Sequence, residues 1–352
     1  MAPGANGYST IEMAPPVSLP RNLNPPRNRG SALPASGTRP DNRQGASFHR
    51  SFLLSRLTYT FWPEAPSIYA SPMVSERDVR LDDGRTLRAY DSGLHAAVTL
   101  ALFWHHGSPQ TGALLEPLVT AAVKRGIRLL SYGRPSYGGS TPNPGRDVAS
   151  AAADVGRIAD AFGIGPFAVM GASGGGPHAL ACAALLPDRV TGVVCLASPA
   201  PLTDDFDWFD GMVDPGGPRA AMEGREVRAR YAETEEFDPE SFTPADWAAL
   251  SEAGAWSSLG ADVGRASEPG PDGLIDDDVA LITPWGFEVS QITAPVLLVQ
   301  GGEDRVIPPA HADWLLRHLP RSELWLRPGD GHISILDACP VAMEWLRANA
   351  EQ

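Results

Sequence analysis

The sequence predicts an α/β protein: a mainly parallel central sheet with helices on both faces and a helical insertion late in the chain. Three observations carry this. Apolar strand-like runs alternate with helical patterns from residue 98 to residue 197, and right-handed βαβ units are how such an alternation closes into one sheet. The alternation stops between about residues 201 and 284 and resumes with an apolar run at 295–300. Gly-containing stretches follow several of the strand-like runs directly, at the carboxyl ends where sheets of this kind bind ligands.

Composition fits. The 352 residues are enough for one large domain with an insertion. A hydrophobic fraction of 43% and a charged fraction of 20% are ordinary for a globular protein. The net charge of -14 makes nucleic acid and anionic membranes poor partners. Cys182, Cys195 and Cys339 lie in apolar segments, odd in number and without a CxxC pair, so they read as small core residues. No apolar run approaches the length of a membrane span, and the amino-terminal stretch lacks the apolar core of a secretory signal. A cytoplasmic location is the expectation.

Residues 1 to about 47 are rich in Pro, Gly, Asn, Arg and Ser and lack apolar periodicity. Residues 48–69 add Phe52, Leu53, Leu54, Leu57, Phe61 and Trp62. Residues 1–72 are therefore expected to be a disordered or loosely docked extension, with Met73 read as the natural start, because regular patterning begins just after it. Residues 77–81 and 85–90 flank Asp82-Asp83-Gly84, the signature of a β-hairpin. Strands follow at 98–104, 127–132, 167–170 and 190–197, separated by helices at 114–124, 147–162 and 179–186. The segment 201–284 is acidic, with helical patterns at 204–212, 219–235 and 244–259 and a Pro/Gly/Asp loop at 268–278. Its acidic residues read as a solvated face. A strand at 295–300, a helix at 310–318, a strand at 323–326 and a helix at 341–348 complete the chain. The expected organisation is a core of residues 73–200 and 285–352 with a helical cap at 201–284.

Chemistry concentrates at three strand ends. Gly171-Ala172-Ser173-Gly174-Gly175 joins an apolar strand to a small-residue helix, a pattern that presents a serine hydroxyl on a turn too tight for larger neighbours. In a chain this rich in glycine, G-x-S-x-G arises by chance somewhere in about one case in four. Two independent residues lift it above that. Asp304 lies in Gly301-Gly302-Glu303-Asp304, just past the strand at 295–300, and His332 follows the strand at 323–326 through Asp330-Gly331. A serine hydroxyl is a weak nucleophile without an adjacent base. Imidazole can accept its proton and return it to a leaving group, and a carboxylate on the far ring nitrogen holds the tautomer and stabilises the imidazolium.

With His106-Gly107-Ser108-Pro109, the Gly133–Ser140 loop, the Ser173 turn, the Gly301–Pro308 loop and Gly331-His332 in that order, the chain resembles the α/β-hydrolase family over residues 73–352. The resemblance implies a Ser173–Asp304–His332 triad and an oxyanion hole formed by the backbone N–H groups of Ser108 and Gly174. It also implies a small-molecule substrate and no metal or organic cofactor. Asp304 is preferred to its neighbour Glu303; Asp330 reads as a turn residue, and Asp204 and Asp205 occupy an alternative acid position. His105, His106 and His178 read as structural, His106 by hydrogen bonding within the loop. Many relatives carry an aspartate where Ser131 or Gly133 stands, and relatives that open epoxides or haloalkanes use an aspartate where Ser173 stands, which argues against both activities here.

The expected activity is hydrolysis of a carboxylic ester, thioester or small amide. Phe206, Trp208, Phe209 and Trp285 are the candidate substrate-pocket residues, with Trp247 and Trp256 as further insertion aromatics. Two other chemistries fit the same triad. An aminopeptidase of the proline-iminopeptidase type would need an acidic insertion group for the free amine. A carbon–carbon bond hydrolase would need a cationic one, for which Arg225, Arg228 and Arg230 are available. A non-catalytic ligand-binding protein on the same fold is the alternative from another class.

Overall fold

The computed structural model describes residues 74–93 and 98–350. The expectation for residues 1–72 and for a start at Met73 lies outside the described residues. One eight-stranded sheet organises the rest, in the order β1-β2-β4-β3-β5-β6-β7-β8. β1 (Ser75–Arg80) and β2 (Thr86–Asp91) form the expected hairpin around Gly84, whose φ of 89° suits the turn. β2 pairs antiparallel with β4 (Ile127–Tyr132). From β4 onward every pairing is parallel, through β3 (Leu100–His105), β5 (Phe167–Ala172), β6 (Val190–Leu196), β7 (Val296–Gly301) and β8 (Ser322–Arg327).

Alternation along the strands sends side chains to two cores. Phe167 and Val169 join one cluster with Val155, Ile158 and Leu180, beneath α2 (Ser150–Ala161) and α3 (Gly175–Leu185). Ala168 and Met170 join the other with Leu118 and Met343, beneath α1 (Glu116–Val123) and α10 (Cys339–Ala350). α9 (Ala310–His318) links β7 to β8. All three cysteines are free and buried. Among the described residues, no helix is long and apolar enough to cross a membrane.

Between β6 and β7 lie five helices: α4 (Gly216–Met222), α5 (Arg225–Ala232), α6 (Pro244–Leu250), α7 (Ser257–Ser267) and α8 (Asp272–Ile282). Several details differ from the sequence expectations. Residues 204–212 form turns, held by Asp207 accepting from the Phe209 N–H and by Trp208 Nε1 donating to the Ala200 carbonyl. The single helix expected over 219–235 breaks at Gly224, which has a φ of 103°. The loop expected at 268–278 is in large part α8. Pro271 precedes it, Asp272 sits in its first turn where the helix dipole favours a carboxylate, and Ile275, Leu281 and Ile282 give it a buried face. The acidic residues are not simply a solvated face: Asp246, Asp262, Asp276 and Asp277 are all buried.

Candidate active site

Sharp backbone turns bring the predicted residues together. β5 ends at Ala172, and Ser173 takes a φ of 52° before α3 begins at Gly175. That conformation is uncommon for a residue with a side chain and persists only where its surroundings fix it. Here the Ser173 N–H donates to the Leu196 carbonyl at 2.8 Å. A methyl group on Gly171 would overlap the Gly175 carbonyl, and one on Gly175 would overlap the His105 carbonyl, so strand, turn and helix can approach only with glycine at both places.

Ser173 Oγ lies 3.1 Å from His332 Nε2, and His332 Nδ1 lies 2.9 Å from Asp304 Oδ2 and 3.1 Å from Oδ1. Asp304 is an acceptor, so Nδ1 carries the proton and Nε2 is free to receive one from the serine. Asp304 is itself fixed: its Oδ1 accepts the N–H groups of Val306 and Ile307, each at 2.9 Å. Burial alone would weaken the hold of His332 on a proton, but the Asp304 and Asp246 carboxylates outweigh it, and the pKa rises above the ordinary value of 6.5. Glu303 is exposed. Asp330 pairs with Arg327, and Asp205 accepts from Trp314 Nε1 at 3.1 Å.

The loop after β3 faces the same turn. His106 Nε2 accepts the Arg134 N–H at 3.1 Å, so His106 Nδ1 is the donor to the Gly107 carbonyl at 2.7 Å. Arg134 adds a bond to the His106 carbonyl at 2.5 Å and reaches the Gly107 carbonyl at 3.4 Å. In a trans peptide the N–H points opposite the carbonyl. Fixing the Gly107 oxygen therefore fixes the direction of the Ser108 N–H. Among the described residues, neither that N–H nor the Gly174 N–H at the mouth of α3 has a hydrogen-bond partner. Two free amides, one at a helix amino terminus, suit an anion. The Ser108 hydroxyl is already engaged: it donates to Asp277 and accepts from Arg134 Nη2 at 3.0 Å. His105, His106 and His178 are buried, and burial lowers their pKa values, to about 3 for His105. His178 bonds the Gly174 carbonyl at 2.7 Å.

The residues that sequence reasoning missed come from the insertion. Asp277 accepts from Arg134 at 2.7 Å, from Tyr137 at 3.0 Å and from Arg146. Burial would raise its pKa, but the two guanidiniums hold it well below the usual carboxylate range. Asp262 accepts from the Thr111 N–H at 3.1 Å and its hydroxyl at 2.6 Å, in the same loop. Asp246 accepts the N–H groups of His332, Ile333 and Ser334. A signal existed for Asp277. It shares a buried face of α8 with Ala280 and Leu281, three and four residues on, and an acid on an apolar helix face asks for a partner. Leu281 approaches Gly174.

Of the candidate pocket residues, Trp208 is buried among Ala221 and Ile282, and Phe206 and Phe209 pack against it. Trp285 is buried in the sheet core and donates to the Leu281 carbonyl at 3.0 Å. Trp256 is buried and bonds Asp337 at 2.9 Å, while Trp247 is exposed. Arg225 pairs with Asp272 and Asp276, Arg228 with Asp278 and Glu235, and Arg230 is exposed.

Comparison with known proteins agrees with this architecture. Residues 101–338 match the family model described as alpha/beta hydrolase fold. A pimeloyl-[acyl-carrier protein] methyl ester esterase of Nitrosomonas europaea is 29% identical over 238 residues, covering 66% of this chain and 88% of that protein. Among solved structures, a bromoperoxidase from Bacillus anthracis superposes with a TM-score of 0.60 at 22% identity, covering 78% of this chain and 98% of its own. A hydrolase from Pseudomonas aeruginosa gives a TM-score of 0.59 at 19% identity, covering 78% and 98%.

Proposed function

Because the chain belongs to the alpha/beta hydrolase fold family and is an enzyme of the hydrolase class, we propose that it cleaves a carboxylic ester through an acyl-enzyme on Ser173. Thioesters and small amides are chemically related substrates. The observation that carries the reading is the continuous Ser173–His332–Asp304 contact, 3.1 Å and 2.9 Å, on one sheet edge. The esterase relative supports an ester as the substrate class.

Ser173 Oγ attacks the carbonyl carbon as its proton passes to His332 Nε2. The carbonyl oxygen becomes an anion between the Ser108 and Gly174 N–H groups, where one such donor contributes about 3–4 kcal/mol to the transition state. Collapse of this intermediate expels the alcohol, which leaves with the proton from Nε2. Water then attacks the acyl-enzyme with His332 again as base, releasing the acid and restoring the serine. Asp304 stabilises the imidazolium at both stages. The helical insertion covers the site as a cap, with Leu281 beside Gly174.

The other two chemistries are less well served. Arg225 and Arg228, two of the three cations a carbon–carbon hydrolase would draw on, are neutralised by neighbouring carboxylates. Asp246, Asp262, Asp276 and Asp277, the buried insertion acids, are engaged with N–H groups, hydroxyls and guanidiniums, so none is free to hold a substrate amine. A fluorophosphonate probe, with the labelled peptide sequenced, tests the assignment alongside a panel of p-nitrophenyl esters, aminoacyl amides and diketones. Labelling at Ser173 with ester turnover is expected. Folded protein that neither labels nor turns over esters would refute it and favour a binding role.

A further inference from the structure

Asp246 lies in α6, far in sequence from the three residues above, and is fully buried. Its Oδ2 accepts the His332 N–H at 3.2 Å, and its Oδ1 accepts the Ile333 and Ser334 N–H groups, each at 2.8 Å. The Ser334 hydroxyl adds a bond at 2.9 Å. On its own side, the Thr243 N–H and hydroxyl donate at 2.9 Å each, closing a capping box that fixes the carboxylate at the start of α6. Both oxygens are thus saturated by neutral donors.

The local reason is the turn after His332. Residues 334–338 form a short 3-10 helix that runs into α10. The first N–H groups of such a helix have no partner within it. Asp246 supplies that partner from a segment 86 residues upstream of His332. Contact is close enough that a methyl group on Gly331 would overlap the Asp246 carboxylate, so a glycine before the histidine is a condition of the fit.

We propose that Asp246 is a positioning residue for His332: it holds the main chain that carries the imidazole and places an uncompensated negative charge beside it. The proposal rests on the reading of His332 as the base for Ser173. Two charged groups act on His332. Asp304 reaches its ring from the loop after β7, and Asp246 reaches its main chain from α6; the turn after β5 contributes the neutral Ser173. Asp330, two residues upstream, is paired with Arg327. Burial would raise the pKa of Asp246, but the N–H groups of Ser334, Thr243 and Ile333 bring it below the ordinary value, so the charge is present at neutral pH.

The test is Asp246→Asn in the full chain beside Asp262→Asn, which alters a comparably buried insertion carboxylate that bonds Thr111 instead. For p-nitrophenyl acetate, Asp246→Asn should lower kcat on the order of 10- to 100-fold with KM changed far less. Titration of the His332 ring, followed by NMR in a Ser173→Ala background, should move to lower pH in Asp246→Asn and stay in place in Asp262→Asn. An unmoved titration, or a kcat within about twofold of the parent, overturns the proposal. If Asp246→Asn yields no folded protein, Gly331→Ala drives the histidine turn off the carboxylate; the same loss of kcat is expected, and full kcat overturns the proposal. The NMR readout needs no turnover. A parent protein that cleaves no ester therefore counts against the esterase reading, while an unmoved His332 titration counts against Asp246.

Discussion

The loop after β3 and the turn after β8 are both fastened to the helical insertion by a buried aspartate, in opposite electrostatic ways. Asp277 meets two guanidiniums, Arg134 and Arg146, with Tyr137 and the Ser108 hydroxyl. Its charge is cancelled locally. Asp246 meets only N–H groups and hydroxyls. Its charge survives and falls on His332. A buried carboxylate paired with cations is chiefly an anchor, whereas one solvated by dipoles is an anchor that also acts electrostatically on its neighbours.

The largest expected effect lies at the group both loops serve. Ser173→Ala should lower ester turnover by a factor on the order of a million, measured on the best p-nitrophenyl ester, with the unfolding midpoint little changed. Residual activity near that of the parent would detach both loops from any shared chemistry.

Asp277→Asn should next show the anchor. It leaves Arg134 and Arg146 buried without their counter-ion, at a cost of roughly 3–5 kcal/mol in stability, read by urea unfolding. A loss below about 1 kcal/mol would remove the contrast drawn above.

The pH dependence separates the two sides. His332 must be neutral to accept a proton, and its pKa is raised, so kcat/KM should climb with pH through a midpoint above about 6.5. Stability runs the other way for that group: its contribution is complete below about pH 6.5 and is lost as pH rises through the folded-state pKa. Asp246 and Asp277 have lowered pKa values, so their contributions are present above about pH 4 and disappear as pH falls through the folded-state values. Acid unfolding of Asp277→Asn should accordingly depend less steeply on pH than that of the parent.

The smallest effect is expected at Ser108→Ala. The hydroxyl is committed to Asp277 and Arg134, and the proposed oxyanion donor is the main-chain N–H, which the substitution keeps. Its kcat loss should stay well under the roughly 100- to 1,000-fold that removal of an oxyanion donor costs. A loss of that full size would move the donor role to the side chain.

The strands β3 to β7 were legible because each is a largely apolar run bounded by turn residues, β1 and β2 because they flank a turn signature, and β4 and α9 fall where the pattern puts them. Ser173, Asp304 and His332 were legible because each follows such a run within a few residues, and a parallel sheet gathers those ends at one edge. α8 was not: three consecutive aspartates after Gly and Pro look like a loop until Arg134, Arg146, Arg225 and Arg228 arrive from other elements to compensate them. Asp246 was visible only as a residue of a Thr-Pro-x-Asp helix start. Nothing local says that its carboxylate also faces the turn after β8.

The sequence by itself therefore determined the sheet, its flanking helices and the placement of the three residues of the proposed triad, since strand ends are set by short-range pattern. Only the tertiary structure decided which carboxylates of an acidic insertion are buried and what each one holds. Burying a charge is favourable only where partners converge on it, and here those partners lie up to 169 residues away in the chain.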